Sequence, residues 1–240
     1  MFHVERNLIS ETRIVWLRTV CSKRGLTLSD GMLDRLASYA NLLSHWNGKV
    51  NLVSRLDADS IWERHIFHSL SPFFHISIPE GAAILDLGSG GGLPGVPWAI
   101  ARPDLNVTLL DSIQKKMRAV SSMVEELGIP GVSVLASRAE DLTTDRRYDY
   151  VVARGVAPLH DLVHWSRPLL RKGGGAASAG TTSGFDLSGP ALIALKGGDL
   201  ADEIRRAHLS GPPYVVDLCL DTVVDTLTDK KLVIVPVEIL

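Results

Sequence analysis

The chain has 240 residues, 45% of them apolar and 22% charged, with a formal net charge of −2; this suits a globular domain with a full core and an extension. A charge so close to balance, with pI about 6.4, excludes a strongly basic nucleic-acid binder though not a local basic patch. Two cysteines leave no disulfide framework or thiolate metal cluster, and with no bilayer-length apolar run and no signal-peptide core at the start, a cytoplasmic protein without membrane contact is expected.

Up to about residue 78 the apolar spacing is helical, so 1–78 is expected as an N-terminal helical extension and 79–240 as an α/β domain. Ile14, Leu17 and Cys21 mark one face of a first helix, which Gly25 ends. Ser29 or Asp30 can cap a second helix with the stripe Leu33, Leu36, Ala40, Leu43 and Trp46. Asp59 can cap a third, carrying Ile61, Trp62, Ile66 and Leu70. His3, His45, His65, His68 and His75 fall in this stretch without the spacing of a metal site, so they are read as surface or hydrogen-bonding groups and no metal is expected.

From Ala82 the pattern changes to alternating strands and helices. Strands are expected near 83–87, 106–111, 132–136, 148–153, 191–196, 214–220 and 231–239, with helices near 94–101, 113–127, 158–170 and 199–208. Such alternation implies a parallel sheet with right-handed crossovers. Only the turn Thr228-Asp229-Lys230 separates the last two strands, which are therefore expected as an antiparallel hairpin at the sheet edge. The stretch 173–189, rich in Gly, Ser, Ala and Thr, reads as an inserted surface loop. Gly211-Pro212-Pro213-Tyr214 reads as a turn into a strand rather than as the Pro-Pro-Tyr signature of amine methylation, because no amide or acid precedes it.

The densest information lies in Ile84-Leu-Asp-Leu-Gly-Ser-Gly-Gly-Gly-Leu-Pro-Gly95, where an apolar run from Ala82 to Leu85 stops at Asp86, a glycine-rich turn follows and a helix can begin at Pro94. Glycines at Gly88 and Gly90 permit positive φ and close approach of a ligand. A second strand ends in Asp111, followed by Ser112. One carboxylate can meet an ammonium group and the other a ribose diol, which suits S-adenosylmethionine. Gly90-x-Gly92-x-x-Gly95 also satisfies a dinucleotide fingerprint, and a ligand-free glycine connection is a third reading of the loop.

Several further motifs occur in order: Trp46-Asn47-x-x-x-Asn51-Leu52, Arg64-His65-x-x-x-Ser69, Leu110-Asp111-Ser112-x-x-Lys115-Lys116, Arg138-Ala139-Glu140, Ala153-Arg154-Gly155-Val156-Ala157 and Ala194-Leu195-Lys196-Gly197. Together with the glycine loop they make the chain, from about residue 35 onward, resemble the bacterial small-subunit ribosomal RNA guanine-N7 methyltransferases, the glucose-inhibited division protein B family. The resemblance implies a class I S-adenosylmethionine-dependent methyltransferase with a Rossmann-like seven-stranded sheet. It also implies methylation of N7 of guanine 527 in 16S ribosomal RNA, with that RNA or the small ribosomal subunit as partner. It places Gly88 and Leu93 at the methionine end of the cofactor, Ala139 and Glu140 at the adenine, and Arg154 beside both cofactor and active site. Ser89 and Gly90 in the loop and Ser112 after Asp111 complete the expected cofactor contacts. The chain departs from the family pattern at His68, where Asp is common, and in its longer Gly-rich insertion.

Guanine N7 has a free lone pair, so its methylation needs alignment and no general base. Accordingly no acid–base residue is assigned, and Arg138 and Arg154 are expected to position the reactants. Arg138, Arg154 and Lys196 end successive strands and can form a cationic rim for phosphate or base edges. Asn47 and His65 either line the RNA side of the cleft or serve as a cap and a buried hydrogen-bonding group. Lys115, Lys116 and Arg118 read as a solvated helix face. A small-molecule methyltransferase and a non-catalytic nucleotide- or ribosome-binding module share the same fold signals. The chain is expected to be a monomer.

Overall fold

The computed structural model describes residues 2–54, 57, 60–142, 147–172, 178–179, 185–187, 189–218 and 227–240, with side chains from residue 11 onward except at 178, 179 and 239. Helix α1 (Phe2–Ser22) buries Leu17 and Cys21, and the chain then turns at Gly25, whose φ is +83°. Ser29 caps α2 (Asp30–Asn47) by accepting the Met32 N–H at 3.3 Å, which satisfies one of the donors a helix start leaves orphaned. The stripe Leu33, Leu36, Ala40 and Leu43 is buried as its spacing requires, and Tyr39 is buried with it. Asp59 lies outside the described residues. The third helical segment is composite: a wide π-type stretch Ile61–Phe67, the short α3 (His68–Leu70) and a 3-10 turn Ser71–Phe74. Pro72, which has no N–H to give, sits at the start of that last turn.

The short strand β1 (Ile76–Ser77) precedes the main sheet, which consists of β2 (Ala83–Leu87), β3 (Asn106–Asp111), β4 (Val132–Ala136), β5 (Tyr150–Arg154), β8 (Ala191–Gly197), β9 (Tyr214–Asp217) and β10 (Lys230–Pro236). Between β5 and β8 lie β6 (Ser178–Ala179) and β7 (Phe185–Asp186). The sheet order is β4-β3-β2-β5-β8-β10-β9, parallel throughout except that β10 runs antiparallel to both of its neighbours. Helices α4 (Gly95–Ala101) and α5 (Gln114–Leu127) follow β2 and β3, and α6 (Leu159–Ser166) and α7 (Ala201–Arg206) follow β5 and β8. The expected seven-stranded α/β plan is therefore present.

The strand residues alternate between two apolar layers. Ile84, Val107, Leu109, Val152 and Ile193 pack under the N-terminal helices, α4 and α5. Leu85, Leu87, Val151, Leu192 and Val233 pack under α6 and α7. Strands buried on both faces read as continuous apolar runs, which is why β2 could be located from Ala-Ile-Leu-Asp-Leu alone. Trp98 of α4 is fully buried and donates from its indole N–H to the Ser69 carbonyl at 2.6 Å, joining the helical extension to the sheet layer.

Three expectations about the C-terminal half are corrected. Strand β9 stops at Asp217, and residues 219–226 of the connection lie outside the described residues, so the hairpin is not closed by Thr228-Asp229-Lys230 alone. Strand β10 ends at Pro236 and Val237–Ile239 form a 3-10 turn, since proline is tolerated at a strand's end and not along its ladder. The inserted stretch is not merely a loop: β7 pairs in parallel with β1 and antiparallel with β6. Its apolar anchors account for this. Phe185 lies 5.1 Å from the Tyr214 ring, and buried Leu187 accepts the Tyr150 hydroxyl at 2.5 Å. Residues 173–177, 180–184 and 188 of the stretch lie outside the described residues. Tyr214, after Pro212-Pro213, begins β9 as expected.

Candidate active site

Strand order reverses between β3 and β5 on either side of β2, and the crevice beyond the strand ends at such a point is where open α/β sheets take ligands. Leu87 is level with Leu110 of β3 and Ala153 of β5. The chain therefore leaves the sheet at Gly88, beside Asp111 and Arg154. Gly88 adopts φ +71°, and a Cβ there would lie 2.6 Å from Val156; only glycine fits. The loop is bound to the neighbouring strand, because the N–H groups of Gly88 and Ser89 both donate to the Leu110 carbonyl, at 2.8 and 2.9 Å.

Asp111 completes this arrangement. One carboxylate oxygen accepts the Gly90 N–H at 3.1 Å and the other accepts the Ile113 N–H at 2.9 Å. Gly91 rests against α2, where its carbonyl accepts the buried Tyr39 hydroxyl at 3.0 Å and a Cβ would lie 2.8 Å from Leu43. A cavity of about 440 Å³ opens above the loop. Gly88, Ser89, Gly90 and Leu93 form its floor, and Asp111 and Ser112 one wall. Arg138, Ala139 and Glu140 form a second wall after β4, and Arg154 a third after β5. All ten of these residues were expected at the site from the sequence. Leu52, Gly91, Gly155, Val156 and Trp165 also line it. Trp165, on α6, carried no motif signal; only the return of α6 over the strand ends brings it there.

Asp86 does not line this cavity. It is fully buried on the side of the sheet that faces α4, where one carboxylate oxygen accepts the Gly95 N–H at 2.7 Å and the other has no hydrogen-bond partner among the described residues. Burial pushes its carboxyl up to about 7, against the Gly95 N–H and the Arg154 guanidinium, which hold it down, while Asp111 raises it further. Its visible task is to hold the start of α4 under the loop.

Arg154 shares the face of Asp86 and reaches toward the helical extension. Its guanidinium donates to the Arg64 carbonyl at 3.2 Å and contacts His65 Nδ1 at 3.0 Å. Burial lowers the guanidinium pKa, with Tyr39, Asp86 and Asp57 opposing, and arginine stays charged. Burial, followed by the Arg154 charge, pushes His65 down to about 4. A neutral ring that accepts at Nδ1 carries its proton on Nε2, and that atom is buried without a partner among the described residues. His65 thus orients Arg154 and does not line the cavity.

Asn47 likewise stands behind the site. Its side-chain oxygen accepts the N–H groups of Leu52 and Val53 at 2.8 and 2.9 Å, so it shapes the loop that sets Leu52 on the cavity wall. Lys196 is displaced too. Strand alternation turns it toward α6 and α7, where its ammonium donates to the Ala157 carbonyl at 2.8 Å and pairs with Glu203. It lines an adjoining cavity of about 240 Å³ that shares Arg154 and Gly155 with the first.

The cavity fits S-adenosylmethionine: a glycine floor admits a close ligand, and the Asp111 carboxylate stands at the end of the strand beside the loop. Residues 32–179 match the family model described as rRNA small subunit methyltransferase G. The chain is 38% identical to the ribosomal RNA small subunit methyltransferase G of Chlorobium luteolum over 91% of this chain and 87% of that one. It is also 38% identical to the protein of the same name from Chlorobaculum tepidum, over 91% and 95%. Among solved structures, a predicted O-methyltransferase from Agrobacterium tumefaciens shares the fold with TM-score 0.52 and 14% identity, over 72% of this chain and 80% of that one. The chain belongs to the rRNA small subunit methyltransferase G family and is an S-adenosylmethionine-dependent methyltransferase of ribosomal RNA.

Proposed function

We propose that the enzyme methylates N7 of guanine 527 in 16S rRNA of the small ribosomal subunit. The observation that carries the reading is the pair of adjoining cavities that share Arg154 and Gly155. One is floored by the glycine loop, and the other is lined by Arg154, Lys196 and Lys230 with Glu203 as their counter-charge, three cations to one acid among the described residues.

S-adenosylmethionine, when bound, supplies an electrophilic methyl group. In this reading Asp111 holds the ribose hydroxyls, and Gly88, Ser89, Gly90, Leu93 and Ser112 border the rest of the cofactor. Ala139 and Glu140 flank the adenine. Arg154, steadied by His65 and the Arg64 carbonyl, fixes the angle between donor and base. Arg138, exposed on the cavity wall, meets RNA phosphate. The N7 lone pair is free at neutral pH, so the residues align the reactants and transfer no proton.

The deciding test is N7-methylguanine mapping by borohydride–aniline cleavage of rRNA from a deletion strain, with and without this gene. Cleavage at guanine 527 should appear only with the gene; a modification elsewhere refutes the assignment. A second expectation follows from the chemistry. The single-turnover methylation rate on saturating subunits should show no bell-shaped dependence between about pH 6 and 9, and a bell-shaped profile would demand a catalytic base.

A further inference from the structure

Among the described residues, the adjoining cavity is lined by one acid beside its cations. Glu203, on α7, lines it together with Lys196, Lys230 and Arg154. The Glu203 side chain is held in place: one carboxylate oxygen, Oε1, accepts the Leu159 N–H at 2.6 Å and also pairs with the Lys196 ammonium. Glu203 therefore ties α7 to the start of α6 and to the end of β8. Arg154 and Gly155 belong to both cavities, whereas Lys196, Glu203 and Lys230 line the second and not the first; Lys196 and Glu203 also border a third cavity, of about 460 Å³, on the side of α6 and α7. The acid is therefore absent from the lining of the cofactor cavity.

Base geometry gives that position a meaning. Guanine carries N7 and O6 on one edge and the donors N1–H and N2–H₂ on the other. A base whose N7 points to the shared wall turns its N1 and N2 donors to the far wall. We propose that the second cavity receives the target guanine and that Glu203 reads its Watson–Crick edge, its second carboxylate oxygen, Oε2, accepting from N1–H and N2–H₂ while Oε1 stays with Leu159 and Lys196. The inference rests on the guanine-N7 reading above and adds to it the residue that sets base identity. Adenine presents a bare N1 lone pair and has no 2-amino group, so it would leave the carboxylate unpaired and opposed. Lys196 and Lys230 then neutralise the acid and meet O6 or phosphate, and contribute less to the choice of base.

The test uses small subunits assembled on 16S rRNA transcripts with guanine or adenine at the methylated position. Their affinity for the full-length protein saturated with S-adenosylhomocysteine is measured by filter binding. Wild type should prefer guanine subunits by about 10- to 100-fold, and Glu203→Gln should bind the two within a few-fold. Gln keeps an oxygen for the Leu159 N–H, and Glu203→Asp, which retains the charge but withdraws it, replaces that variant should it not fold. Lys196→Ala, which breaks the ion pair without removing the acid, should weaken both complexes and keep the preference. The inference is overturned if the Glu203 variants keep the wild-type preference, if wild type has none, or if Lys196→Ala abolishes it equally. Wild type transferring no methyl group to guanine subunits would instead defeat the underlying reading, a result that methyl incorporation reports separately.

Discussion

Asp86 illustrates how far burial can move a residue from its expected role. A carboxyl raised from 3.8 to about 7 in the folded state contributes stability that is complete below the unfolded pKa and lost as pH rises through the folded one. His65 and His68, pushed down to about 4 and about 3 chiefly by burial, contribute stability that is present above 6.5 and lost as pH falls. The two effects oppose each other in wild type, so Asp86→Asn is the variant that separates them. Relative to wild type, its unfolding free energy should climb between about pH 4 and 7, by of the order of 4 kcal/mol, and level off above. Urea titrations at pH 4 and 8 measure this, and a pH-independent difference would mean that Asp86 stays ionised. At Asp111, replacement by Ala should cost about 1–3 kcal/mol in S-adenosylhomocysteine binding by calorimetry, because it removes the proposed ribose acceptor and frees the Gly90 and Ile113 N–H groups.

The β2–α4 connection works only with its glycines, and its neighbours tighten it from two sides. A Cβ at Gly95 would lie 2.4 Å from Leu109 and 2.7 Å from the Asp86 carboxylate. Gly95→Ala must therefore displace the buried Leu109 and Asp86 side chains or shift α4 itself, at about 1–3 kcal/mol as for other overpacked cores, and should lower the melting temperature. On the other side, the loop after α2 depends on Asn47. Removing its two acceptor contacts in Asn47→Ala should cost about 1–2 kcal/mol of stability and weaken cofactor binding through Leu52. Asn47→Asp, which keeps an acceptor, should recover most of both. An Asn47→Ala protein with unchanged melting and cofactor affinity but impaired RNA binding would return Asn47 to the RNA side of the cleft.

At the scale of the molecule, the helical extension and the sheet share one apolar layer. Leu33, Leu36, Leu43, Ile66 and Phe67 belong to the same buried cluster as Trp98, Val107 and Leu109. Such a layer stabilises at roughly 25 cal/mol per Å² buried, and cutting the chain between its halves would expose it. Residues 79–240 expressed alone should be insoluble or lack a cooperative thermal transition by circular dichroism. A soluble fragment that melts cooperatively would instead mark the α/β part as independently folding.

Much of this architecture was legible in the sequence because it rests on local rules. Period-2 and period-3.6 apolar spacing located the strands and helices, Ser29 marked a cap, and the glycine run with Asp111 marked the loop and its strand-end carboxylate. The cavity lining followed, since residues that leave adjacent parallel strands at one level must meet. Tertiary packing decided the rest. Whether Asp86 faced the ligand or the core depended on Gly95 closing over it, and whether Lys196 reached the cofactor depended on which face of β8 it occupied beside Glu203. His65 and Asn47 became supports for Arg154 and Leu52 because their partners lie across the fold or the loop, and Trp165 entered the site only when α6 returned over the strand ends. Spacing along the chain determines which face a side chain takes within its own element; what waits on that face is set by elements distant in sequence.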